Sequence, residues 1–135
     1  MTRLLVVTAI IEAPTGLALL VVPSIVVRLL LGSPLEASPA ITLGRVAGAA
    51  LLTLGVACWL ARNDTQGTAA RGLVAAMMLY NISTVVILGA VGVGSQPIGM
   101  ALWPAVVLHA VMTGCCILIL LTEKRGEPAP LGPTP

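Results

Sequence analysis

The sequence predicts an all-α polytopic membrane protein, a four-transmembrane-helix bundle with a short extra helix after the first span. Three observations carry that expectation. Hydrophobic residues make up 58% of the 135-residue chain and charged residues only 9%, and the mean hydropathy is +1.07, far from the balance of water-soluble domains. The apolar residues gather in four long runs, and a helix needs about 20 such residues to cross a bilayer. Proline, glycine and polar residues punctuate the runs, whereas strands rarely continue this far without alternation. The four helices take up nearly the whole chain as one domain over residues 1–122, so any chemistry sits in the bundle, in its short connections or on a partner.

The first span is expected over residues 3–22, ended or sharply bent by Pro23 and Ser24, because proline removes a helix hydrogen bond and crowds the preceding turn. Pro14 lies inside that span and frees a backbone carbonyl near Ile10. A short interfacial helix over 24–31 follows, with Arg28 in reach of headgroups and Gly32, Ser33 and Pro34 closing it. Ser38 before Pro39 reads as a helix start, a capping side chain ahead of a proline at the first helical position. The second span runs over 39–62, and Asn63, Asp64, Thr65, Gln66 and Gly67 form an inner turn. The third span covers 68–91, followed by an uncharged outer turn from Gly92 to Pro97, and the fourth covers 98–122. Residues 123–135 form a polar, proline-rich tail, expected to be disordered and cytoplasmic.

The basic residues set the topology. With the N-terminus in the cytoplasm, the inner segments carry Arg3, Arg62, Arg71, Lys124 and Arg125 and the outer connections only Arg28, so both termini are expected inside. Glu12 interrupts the first apolar run and no small-residue cleavage site follows, which favours a retained span over a signal peptide. The net charge of +2 is small and unclustered, so nothing supports nucleic-acid binding. Trp59 and Trp103 suit interface anchoring. Cys58, Cys115 and Cys116 are expected as reduced thiols near the inner helix ends.

Each span carries a strongly polar group: Glu12, Arg45, Asn81 and His109 in order. At a rise of about 1.5 Å per residue, Glu12 and His109 lie about 17 Å from the outer side, Arg45 about 9 Å and Asn81 about 10–13 Å. The spacing predicts one polar layer, with a Glu12–Arg45 ion pair between the first two spans and Asn81 and His109 completing a hydrogen-bonded cluster. Threonines one turn away support it: Thr8 and Thr15 beside Glu12, Thr42 beside Arg45, Thr84 beside Asn81 and Thr113 beside His109. Tyr80 projects from a different face than Asn81, so the two are not expected to be central together. Gly44 and Gly48 bracket Arg45 in a small-xxx-small pattern that admits another backbone, from this bundle or from a second copy.

Two explanations of the layer stay open, internal glue that fixes helix order and a site for a proton, ion or polar head group. The cysteines could line a soft-metal path, but no Cys-x-x-Cys or second histidine supports a metal site, and no motif calls for a cofactor.

The stretches Ile11-Glu12-Ala13-Pro14-Thr15-Gly16-Leu17, 28–34 and Gly44-Arg45-Val46-Ala47-Gly48 resemble small bacterial four-span membrane proteins of the DoxX-like kind. That resemblance implies a four-helix bundle in the bacterial cytoplasmic (inner) membrane and brings no activity with it. The small multidrug resistance transporters also have four spans and a glutamate near the middle of the first, but this chain has no Phe and one Tyr and adds Arg45 and His109. The expected functions are an accessory or interaction subunit of a membrane system, a proton- or ion-coupled transporter using Glu12, or a lipid-binding protein or bundle-embedded enzyme. Expected partners are the lipid bilayer and another membrane protein or a second copy.

Overall fold

The computed structural model describes residues 1–64, 67–94 and 96–124. Every regular element among them is a helix: α1 (Thr2–Val21), α2 (Pro23–Leu31), α3 (Ser38–Ala61), α4 (Thr68–Gly92) and α5 (Leu102–Lys124). All but α2 are long and apolar enough to cross a membrane. The outward surface agrees, because Leu60 is 72% exposed and Leu43 69%, a cost in water that disappears in hydrocarbon. The tail expectation falls outside the described residues from 125 onward, while residues 123 and 124 complete α5.

The helices associate as two pairs, α1 along α3 and α4 along α5. Glycine makes the first pair possible. A Cβ on Gly48 would lie 2.5 Å from Leu20 N and 2.7 Å from Gly16 O, and one on Gly16 would lie 2.7 Å from Gly48 O, so backbone meets backbone at this crossing. Further along, a Cβ on Gly55 would lie 2.8 Å from Ala13 N. Gly44 faces Pro23 and Leu35 at the base of α2. The small-residue face of α3 is therefore consumed within the chain.

Only Val22 separates α1 from α2. Its N–H still bonds Ala18 O at 2.8 Å, but Pro23 has no N–H to continue and instead opens α2 as its first residue. Ser24 Oγ donates to Leu35 O at 3.0 Å, tying the return segment to the start of α2. Gly32 ends α2 in the left-handed conformation at φ 80, which suits a residue without Cβ. Ala37 rather than Ser38 is the N-cap of α3, and no side chain caps it; Ser38 is the first helical residue and its carbonyl accepts from Thr42 Oγ1.

The start of α5 departs from expectation. Residues 98–101 are not yet helical, because Gly99 N donates to Leu30 O at 3.1 Å and Ala101 N to Leu29 O at 2.9 Å. These bonds satisfy carbonyls at the end of α2 that have no helical partner. Gly99 is required there, since a Cβ would overlap the Leu29 carbonyl. The α4–α5 connection is thereby clasped to α2, joining the two helix pairs at that end of the bundle.

At the opposite end the pairs are joined by side chains. Leu5, Cys58, Val74, Met77, Met112 and Cys116 form a buried cluster with contributions from α1, α3, α4 and α5. Its three thiols, with Cys115 half-buried, are free. Nearby at the end of α3, the Arg62 guanidinium stacks over the Trp59 ring, 4.2 Å from its centroid.

Candidate functional site

Between the clasp and the side-chain core, the two pairs separate enough to leave a partly open cavity of about 290 Å³. All five helices contribute to its wall: Glu12 and Thr15 from α1, Leu30 from α2, Leu51 from α3, Tyr80 and Thr84 from α4, and His109 from α5. Leucine, isoleucine and alanine supply most of the rest. A small apolar chamber with a few convergent polar groups is the usual form of a ligand site.

Glu12 is only 4% exposed, and among the described residues it has no hydrogen bond or ion pair. Among those residues no lysine or arginine lines the cavity either. The other polar groups are tied down. Asn81, 1% exposed, donates from Nδ2 to Met77 O at 2.7 Å, which leaves its Oδ1 as an acceptor. His109 Nδ1 lies 2.6 Å from that Oδ1, so Nδ1 must carry the proton. In the neutral ring the remaining nitrogen, Nε2, is then an acceptor. Thr113 Oγ1 donates to His109 O at 2.9 Å one turn on. The Tyr80 ring stands edge-on to the imidazole, centroids 5.5 Å apart at 83°.

The two threonines of the wall follow the same rule. Thr15 Oγ1 donates to Ile11 O at 2.7 Å and Thr84 Oγ1 to Tyr80 O at 3.0 Å. Each spends its proton on its own helix.

Of the four groups expected in one layer, the fold brings together Glu12, Asn81 and His109. It does not bring in Arg45. That residue and Thr42 are exposed on the outside of α3, and no ion pair joins Arg45 to Glu12 among the described residues. The reason is helix phase: Leu51 marks the cavity side of α3, and six residues at about 100° each place Arg45 about 120° around from it. The packing of Gly48 against α1 and of Gly44 against Pro23 and Leu35 fixes that rotation. Thr8 is buried in α1, and its hydroxyl has no partner among the described residues.

Tyr80 is the corrected residue on α4. It and Asn81 do project differently, yet His109 meets both, Asn81 at Nδ1 and Tyr80 in a T-shaped ring contact. A single aromatic residue adjacent to a buried amide is the signal that marks it. Among the described residues no group of three or more His, Cys, Asp or Glu side chains gathers as a metal site would require. Comparison with protein-family models, with curated proteins and with solved structures yields no match to this chain.

Proposed function

We propose that this chain is an integral membrane protein that binds a small, largely apolar molecule inside the bilayer, between its two helix pairs, with Glu12 and His109 as the polar recognition groups. Glu12 carries the reading: a carboxylate kept for architecture needs its partner in the architecture, and none is built beside it. A buried ionisable group that lines a chamber and has no protein partner there is instead completed by what enters the chamber. Exchange of that ligand against a proton on Glu12 makes a small proton- or ion-coupled transporter the natural form of the activity.

The basic residues support a topology with both termini in the cytoplasm, Arg3, Arg62 and Arg71 at one end of the spans and Arg28 at the other. The stretches around Glu12 and Gly44 to Gly48 support a place among the DoxX-like proteins of the bacterial inner membrane.

One observation favours a second reading, an accessory subunit. Arg45 faces outward from α3, with no hydrogen bond or ion pair among the described residues, and a guanidinium in that position suits a carboxylate on a neighbouring membrane protein. Gentle extraction followed by native mass spectrometry tests both. Wild type and Arg45→Gln are expected to retain a bound small molecule that Glu12→Gln loses. An unoccupied wild-type protein, or a Glu12→Gln variant carrying the same molecule, refutes the binding reading; loss of a protein subunit from Arg45→Gln would establish the second.

A further inference from the structure

Every proton the cavity wall could offer from its threonines and its histidine is already spent inside the protein. Thr15 and Thr84 give theirs to Ile11 O and Tyr80 O, and His109 gives its Nδ1 proton to Asn81, whose own orientation is fixed by Met77 O. What those cavity-lining groups have left is lone pairs: two hydroxyl oxygens and Nε2. Glu12 adds the carboxylate oxygens, and the Tyr80 hydroxyl can act either way. With Glu12 ionised, the chamber is a hydrogen-bond acceptor cage that carries one negative charge.

We infer that the ligand is a lipophilic primary or secondary ammonium, its N–H donors shared among Glu12, His109 Nε2 and the two threonine oxygens and its hydrocarbon part against the leucine and isoleucine wall. This deepens the reading above and rests on it. A neutral alcohol has one proton to give and no charge to set against Glu12. A quaternary ammonium has charge but no donor, and cages for such ions are built from several aromatic rings, where this wall has Tyr80 and His109 alone. At about 290 Å³ the chamber stands at the small end of the range for ligand sites, so it suits a single short chain or one headgroup rather than a whole diacyl lipid.

The test is a matched series with one tail: n-hexylamine, hexan-1-ol and hexyltrimethylammonium. Binding is measured by calorimetry on the full-length protein in phosphatidylcholine nanodiscs, with empty discs subtracted. The amine is expected to bind at least tenfold more tightly than either analogue, and Glu12→Gln to erase that preference. Thr15→Val and Thr84→Val provide a second arm that leaves Glu12 in place, each expected to weaken the amine severalfold while leaving the alcohol nearly unchanged. Equal binding of amine and alcohol, abolished by the cavity-filling Ala105→Trp, would overturn the ammonium inference and leave the binding site standing. No binding by any of the three would overturn both. Weaker amine binding in discs containing phosphatidylethanolamine would identify the ammonium as a lipid headgroup, and unchanged binding would identify it as a free amine; either result supports the inference.

Discussion

The tautomer of His109 is the sharpest consequence of the site geometry, and the chain's only histidine makes it directly observable. Asn81 cannot turn its amide without trading the 2.7 Å bond to Met77 O for an oxygen facing a carbonyl. Its Oδ1 therefore stays an acceptor, and the 2.6 Å contact holds the ring proton on Nδ1. Moving that proton to Nε2 would leave two acceptors facing each other in a buried place, at a cost of about 1–3 kcal/mol. Since 1.4 kcal/mol corresponds to about a tenfold population ratio, the neutral ring is expected to be at least about fivefold, and up to about a hundredfold, in the Nδ1–H form. Free imidazole side chains carry no such constraint. Nitrogen-15 spectra of protein labelled at histidine separate the two ring nitrogens, and Asn81→Leu should release the preference and admit Nε2–H. A wild-type spectrum dominated by Nε2–H would refute both the hydrogen-bond chain and the acceptor character assigned to the cavity.

Three further outcomes follow from the packing. Gly48→Ala sets a Cβ against backbone atoms that no rotamer change can move, 2.5 Å from Leu20 N, and should cost about 1–3 kcal/mol in an unfolding titration in mixed micelles. Gly114→Ala meets nothing within 4 Å and should be neutral or stabilising by up to about 1 kcal/mol; equal effects of the two substitutions would remove the glycine crossing from the account. Gly99→Ala should open the clasp, seen as faster hydrogen exchange at the Gly99 and Ala101 amides, and unchanged exchange would show that their bonds to α2 carry no weight. Thr8→Val replaces a buried hydroxyl that has no partner among the described residues with a group of the same shape and should raise stability by about 1 kcal/mol; a loss of stability would mean that the hydroxyl is in use.

Helix number and approximate bounds were legible because hydropathy over about 20 residues is a strong signal that tertiary context rarely overrides. So was the presence of Glu12, Asn81 and His109 at related depths, since depth follows from rise alone. Rotation was not. Whether Arg45 turns toward Glu12 or away depends on which side of α3 is buried, and that is decided by Gly16 and Gly48 meeting across the pair. The charge complementarity of Glu12 and Arg45 argued one way and backbone approach the other, and backbone approach prevails because its contacts cannot be moved without separating two helices. The late start of α5 was hidden for a related reason: Ile98 to Ala101 are compatible with helix, but α2 offers their amides carbonyl partners from a distant part of the sequence.

The position of the cavity follows from how unequally the two helix pairs are joined. At one end Leu5, Val74, Met77, Met112, Cys58 and Cys116 interlock as a buried cluster, and deleting any one large side chain from such a core costs about 2–5 kcal/mol. At the other, the links are backbone hydrogen bonds from Gly99 and Ala101 to α2, each with a net worth of about 0.5–1.5 kcal/mol. The chamber lies between them, so any motion that widens it breaks the cheaper joint and pivots on the dearer one. Glu12 and His109 stand on opposite sides of that division, on α1 and α5. On the binding function proposed here, a ligand shared by the two residues would bridge the helix pairs, and its release would be coupled to opening at the clasp rather than at the core.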